Sequence, residues 1–211
     1  MISISKRLVG LSGGLSGSSL GFLFESLARL FPVDFRVVDG RLHEPLDALI
    51  VLDGNASNGY AAAEKGLPAL VMMKDGECQL NGGEQTVRFG RAPHLETCLR
   101  HQVMTESQDT GGCSIPCGAG DQILASTTTG AVWVSRPRGS GLCQLAGVPL
   151  PSLSKGEYLF EYLNRRRFMQ LLPLMHFLRQ VVKEHSKRSV TVIWTPDHSL
   201  CDQATSNRDK R

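Results

Sequence analysis

The triplet Asp53-Gly54-Asn55 follows a continuous aliphatic run, Ala-Leu-Ile-Val-Leu, at 48–52. A carboxylate at the carboxyl end of a buried strand stands where ligands gather in open α/β sheets. Asp53, Gly54 and Asn55 are therefore the first candidates for holding a small-molecule ligand. A local account competes with this. Asp and Gly are also what a tight turn demands, Asp for its side-chain hydrogen bond and Gly for its backbone freedom. The turn is the simpler of the two.

Cys113 and Cys117 form the second constellation, within Gly-Gly-Cys-Ser-Ile-Pro-Cys-Gly at 111–118. Two cysteines this close suit a redox pair or half of a metal site. His94 and His101 lie upstream without ligand-like spacing, and no second cysteine pair completes a tetrahedral set. No metal and no cofactor is expected. Two incidental thiols in a surface loop are the plainer reading.

Arg165, Arg166 and Arg167 stand together ahead of an apolar stretch. They could touch phosphate, acidic lipid or an acidic protein, although Arg-rich helix surfaces are commonly just solvated. Leu171, Leu172, Met175, Phe177 and Leu178 must pack on something, either the domain's own sheet or a partner. A protein partner on the 167–182 helix is expected. The Gly/Ser-rich segment 12–19 sits between a strand and a helix, where backbone N–H groups can meet phosphate. A Walker-type loop needs Lys before its Ser/Thr, and none is present. A flexible turn is the better account.

The elements that would position these residues begin with a strand at 6–11 and a helix at 20–30. In that helix Leu20, Phe24, Leu27 and Phe31 recur at helical spacing. Apolar runs at 35–38, 48–52 and 68–73 read as strands, the last two buried on both faces, with a helix at 58–65 between them. This rhythm predicts a parallel sheet with helices on its faces. A strand at 85–89, a short helix at 93–103 and a polar surface loop at 105–120 follow. From 122 to 145, short strands and tight turns predict an antiparallel β-meander. Ser154 and Glu157 have capping-box spacing and open a helical segment in which Pro173 must kink or restart the chain. A last strand is expected at 190–194, ahead of a polar, disordered tail at 195–211.

The fold class is thus α/β: a mostly parallel, flavodoxin-like sheet with helices on its faces and an added antiparallel meander. Residues 1–152 make the α/β domain, 153–185 a basic helical connector, and 186–211 a short strand and tail. The chain has 211 residues, 41% hydrophobic and 20% charged, which is globular composition. A net charge of +3 makes nucleic acid an unfavoured partner. Between 155 and 188, however, eight Lys/Arg face three Glu. Six cysteines spread over this length point to reduced thiols and a cytoplasmic protein rather than a secreted disulfide scaffold. No apolar run approaches the roughly 18–20 residues of a membrane span.

The order of parts resembles the class I glutamine-amidotransferase-like domains. The residues that carry this are the strand ending in Asp53-Gly54, the strand Pro68-Ala-Leu-Val-Met-Met73, and the series Ile123-Leu-Ala125, Ala131-Val-Trp-Val134, Arg138-Gly-Ser-Gly141 and Val148-Pro-Leu150. Arg167-Phe-Met-Gln-Leu-Leu-Pro-Leu-Met-His-Phe-Leu-Arg179 is similar to the linker that precedes a polysaccharide deacetylase domain in some bacterial proteins. The resemblance implies a flavodoxin-like fold and an accessory role in cell-surface polysaccharide metabolism. The catalytic members need a cysteine on a glycine-flanked strand-to-helix turn, with a downstream His-x-Glu pair. Here the corresponding strand leads into Lys74-Asp-Gly-Glu-Cys78, and Pro93-His94-Leu95-Glu96 comes too early. Glutamine hydrolysis is therefore not expected. The leading expectation is a non-catalytic module that binds a partner or small ligand. The alternatives are a small hydrolase or transferase with its site after Asp53, and a nucleic-acid-associated basic protein.

Overall fold

A computed structural model describes residues 6–13, 18–38, 45–74, 76, 79–80, 83–93, 95, 99–108, 112–150, 153 and 168–185. Among these residues nine strands form one sheet: β1 (Arg7–Ser12), β2 (Val33–Val37), β3 (Ala48–Val51), β4 (Ala69–Met72), β5 (Gly83–Phe89), β6 (Val103–Gln108), β7 (Gln122–Thr127), β8 (Gly130–Arg138) and β9 (Gly141–Ala146). Among the described residues three helices accompany them: α1 (Ser18–Leu30), α2 (Ala56–Glu64) and α3 (Phe168–His185). The strand order is β2-β1-β3-β4-β9-β8-β7-β5-β6.

The pairings β2-β1, β1-β3, β3-β4 and β4-β9 are parallel; those from β9 through β8, β7 and β5 to β6 are antiparallel. The sheet is thus mixed in equal parts, and the expectation of a mostly parallel sheet is corrected. The cause lies in the connections. α1 and α2 each supply a crossover long enough to return the chain parallel, whereas β7, β8 and β9 are joined by turns that leave room only for antiparallel neighbours.

Every residue of β3 and β4 is buried, as their continuous aliphatic sequences require. Alternate residues feed two cores. Ile50, Leu70 and Met72 point into one with Leu23, Phe24 and Leu27 of α1 and Leu171, Leu174 and Phe177 of α3. Leu49, Val51, Ala69 and Val71 point into the other with Ala62 and Ala63 of α2, Cys143 and Leu145. The architecture is therefore three layers, with α1 and α3 on one face of the sheet and α2 on the other.

Three further sequence expectations change. The short helix at 93–103 does not form among the described residues. His101 adopts a left-handed φ of 64°, which reverses the chain, and Arg100 Nε donates to the Leu95 carbonyl at 2.9 Å. The segment 105–120 is not a surface loop throughout. Its start belongs to β6, paired along its length with β5, and Gly112, Cys113, Ser114 and Ile115 are buried. Finally, of the kink or restart expected at Pro173 the restart does not occur, since α3 runs unbroken through it, and the helix's apolar face is covered. Met169, Leu171, Leu174 and Leu178 are each 0% exposed against the sheet and its surroundings. The apolar surface expected for a partner is packed on this chain itself. The capping box at Ser154 and Glu157 and the strand at 190–194 lie outside the described residues.

Candidate functional site

The two rims of the sheet differ in what they present. At the carboxyl rim β1 has β2 on one side and β3 on the other, a switch point of the kind at which α/β sheets open a crevice. The sequence candidates Asp53, Gly54 and Asn55 lie here, and the structure shows what each one does. The Asn55 N–H donates to Asp53 Oδ1 at 3.0 Å. Asn55 in turn caps α2, its Oδ1 accepting from the Ser57 N–H at 3.2 Å. Gly54 has a φ of 82°, and a Cβ there would lie 3.1 Å from the Lys74 nitrogen. Gly13, at the end of β1, backs so closely on Asp53 that a Cβ would lie 2.7 Å from it. The triplet builds a turn and a helix cap.

Cys113 and Cys117 occupy different environments. The Cys113 N–H donates to the Gly147 carbonyl at 2.7 Å, just past β9, and Ile115 N–H donates to the Ala131 carbonyl at 2.7 Å. A Cβ on Gly76, which follows β4, would come within 3.0 Å of Cys113 Sγ and 2.0 Å of the Ser114 carbonyl. The segment 112–115 therefore seals the carboxyl ends of β4 and β9, with Cys113 0% exposed. Cys117 is exposed, its Sγ lying 3.5 Å from the Ile115 carbonyl oxygen. Arg165, Arg166 and Arg167 lie outside the described residues. Among the described residues, no group of three or more His, Cys, Asp or Glu could hold a metal ion.

The opposite rim holds a cluster that the sequence candidates did not include. Arg136, near the end of β8, clamps Asp121 with Nε to Oδ1 at 2.9 Å and Nη2 to Oδ2 at 2.6 Å. Its Nη1 donates to the Tyr60 hydroxyl of α2 at 2.6 Å, and Nη2 also reaches the Pro116 carbonyl at 2.8 Å. Asp121 Oδ2 accepts a further bond from the Gly118 N–H at 2.8 Å. The Arg136 hydrogen bonds hold the Asp121 carboxyl below its ordinary range, and Asp121 raises the guanidinium in return. Arg138 lies over the Tyr60 ring, 4.5 Å from its centroid. Between the 118–121 turn and Arg136, Pro137 and Arg138 is an open cavity of about 330 Å³.

One signal for this cluster was available. Arg136 and Arg138 are two apart on a strand and so share a face with Val134, the α2 side of the sheet. The partner Asp121, fifteen residues earlier, is brought alongside by the β7-β8 pairing, whose registers shift between Ile123 and Ser126. Spacing alone does not reveal that.

A second, smaller cavity of about 260 Å³ lies where α3 meets the start of β9, lined in part by Phe177, Gln180, Val181 and Gln144. Above it, Trp133 Nε1 donates to Gln144 Oε1 at 3.2 Å, and Gln144 Nε2 donates to Gln180 Oε1 at 2.6 Å. His176 stands edge-on to Trp133 with ring centroids 5.0 Å apart. This chain of contacts joins α3 to the sheet.

No helix of the described residues is long and apolar enough to cross a membrane. No protein-family model matches the sequence, and no curated protein matches it. Solved structures do share the fold. A Thermoplasma acidophilum protein assigned as a GMP synthase component superposes with a TM-score of 0.55 at 12% identity, over 86% of this chain and 96% of that one. A cytoplasmic protein from Salmonella typhimurium superposes with a TM-score of 0.51 at 7% identity, over 82% and 98% of the two chains. At these identities the likeness concerns the α/β fold alone.

Proposed function

We propose that this chain is a non-catalytic α/β module of amidotransferase-like fold that binds a partner or a small ligand in the cytoplasm. Cys113 carries the reading. It stands at the carboxyl ends of β4 and β9, where catalysis by a thiol would need an open approach, and it is 0% exposed beneath its own chain. Asp53, the best-placed carboxylate for the rival enzyme reading, is engaged in the turn that leads into α2. Thiol catalysis requires an accessible nucleophile beside a base, and burial in apolar surroundings keeps a thiol inert. The setting in cell-surface polysaccharide metabolism draws its support from the resemblance carried by residues 167–179.

Ammonia release from glutamine by the purified full chain tests this reading. The expected rate is that of buffer, and equal in the wild type, Cys113→Ser and Asp53→Ala. Turnover that vanishes in either variant, with the melting temperature retained, overturns it.

A further inference from the structure

We propose that the cavity between the 118–121 turn and the end of β8 binds a small oxyanion, a phosphate or carboxylate group, with Arg138 as its principal ligand. The site lies on the rim opposite Asp53 and Cys113, so it stands whether or not the carboxyl rim binds anything. Its walls are Gly118, Ala119, Gly120, Asp121, Arg136, Pro137 and Arg138. At about 330 Å³ it falls at the small end of ligand-site volumes and accommodates such a group with part of the molecule that bears it.

The charge balance of these walls decides the sign of the ligand. Arg136 and Asp121 neutralise each other through two parallel hydrogen bonds, and the second oxygen of Asp121 also takes the Gly118 N–H. That pairing blunts the carboxylate's repulsion of an incoming anion. Arg138 is then the uncompensated charge. Among the described residues it makes no ion pair, and its Nε is buried without a hydrogen-bond partner. That buried Nε is shielded from the open cavity, so an entering oxyanion meets the rest of the guanidinium, whose fork suits such an acceptor. The end of α2 does not supply one from Ala62 or Ala63. Their carbonyls already take the N–H groups of Lys65, Gly66 and Leu67.

Arg138 is also fixed before any ligand arrives. Its guanidinium stacks on Tyr60, and the Tyr60 hydroxyl is itself held by Arg136. A side chain ordered in advance loses less freedom on binding, which favours affinity for so small a group.

The test is calorimetric titration of the full chain with inorganic phosphate and, separately, with succinate, in chloride of matched ionic strength. The wild type is expected to take up one equivalent of at least one of these anions. Arg138→Gln is expected to weaken that uptake at least tenfold while keeping the wild-type circular dichroism and melting temperature. Arg138→Lys, which keeps the charge and loses the fork, is expected to fall between them. Tighter phosphate binding assigns a phosphate-bearing ligand, and tighter succinate binding a carboxylate. Should the wild type show no saturable uptake of either anion into the millimolar range, or should Arg138→Gln titrate like the wild type, the proposal fails.

Discussion

Arg136 and Asp121 meet in a two-point clamp, Nε to Oδ1 and Nη2 to Oδ2, with side chains only 16% and 5% exposed. The clamp ties the start of β7 to the end of β8, and through Nη1 to Tyr60 it reaches α2. A partly shielded pair is costly to break, because the surviving partner is left with a charge that water only partly solvates.

Replacing Asp121 by Asn should therefore cost about 2–3 kcal/mol at neutral pH, read as a shift in the urea unfolding midpoint. The pH dependence gives a sharper test. The Arg136 hydrogen bonds hold the Asp121 carboxyl below its ordinary value, with burial opposing and the Gly118 N–H and the nearby guanidiniums assisting. A depressed folded value means that the stabilisation is fully present above about pH 4, where the unfolded carboxyl is ionised. It disappears as pH falls through the lower folded value. The gap between wild type and Asp121→Asn should close in acid, and a gap that stays constant contradicts this.

Cys143 offers the opposite slope. Burial pushes its thiol up to about 12, with the Arg136 and Arg138 guanidiniums pulling the other way. The unfolded thiol ionises near about 8.5, so its contribution to stability is complete below that pH and drains away as pH rises towards the folded value. Wild type should lose stability more steeply than Cys143→Ala across the alkaline range. Equal slopes in chemical denaturation would sink the assignment. Native-state alkylation with iodoacetamide should likewise be unchanged by the substitution, because the Cys143 thiol is inaccessible.

The parallel half of the fold was legible in the sequence because its signals are local. Uninterrupted aliphatic runs at 48–51 and 69–72 can only be strands covered on both faces, and the helices between the strands dictate parallel return. The 93–115 region was not legible, for identifiable reasons. A non-glycine residue at positive φ, His101, replaces a helix by a reversal. The polar composition of β6 suits an outer strand with a single paired neighbour as well as it suits a loop. Asp53, Gly54 and Asn55 stand at a carboxyl rim, as the aliphatic run before them implies, and the preference for a turn there agrees with their hydrogen bonds. The arginine cluster escaped because Tyr60, Asp121 and Arg136 are assembled by tertiary packing from three separate elements or turns.

Two glycines separate close packing from conformational freedom. A Cβ at Gly147 would sit 2.0 Å from the Cys113 carbonyl oxygen, which is backbone and cannot swing aside. Gly147→Ala should destabilise by about 1–3 kcal/mol. Gly21, on the exposed side of α1, meets nothing within 4 Å, and Gly21→Ala should stabilise by about 1 kcal/mol through helix propensity. Thermal unfolding of the two variants should move in opposite directions. A neutral Gly147→Ala would mean that segment 112–115 does not seal the rim.

The hydrogen bonds from Trp133 to Gln144 and from Gln144 to Gln180 give the final prediction. Gln144 is 1% exposed, so its amide cannot exchange these partners for water. Gln144→Leu keeps roughly the same volume but strands the buried Trp133 indole N–H and removes the tie to Gln180. The cost should be about 1–3 kcal/mol, from one buried donor left unmet. Its location should be specific. The apolar residues of α3 already bury that helix on the sheet, but apolar packing is tolerant of sliding, whereas a hydrogen bond fixes one register. Amide exchange in Gln144→Leu should therefore rise most in α3 and in the facing part of β9, with β3 and β4 protected as before. If exchange rises evenly over the sheet, the amide pair contributes stability alone and the apolar side chains set the register of α3.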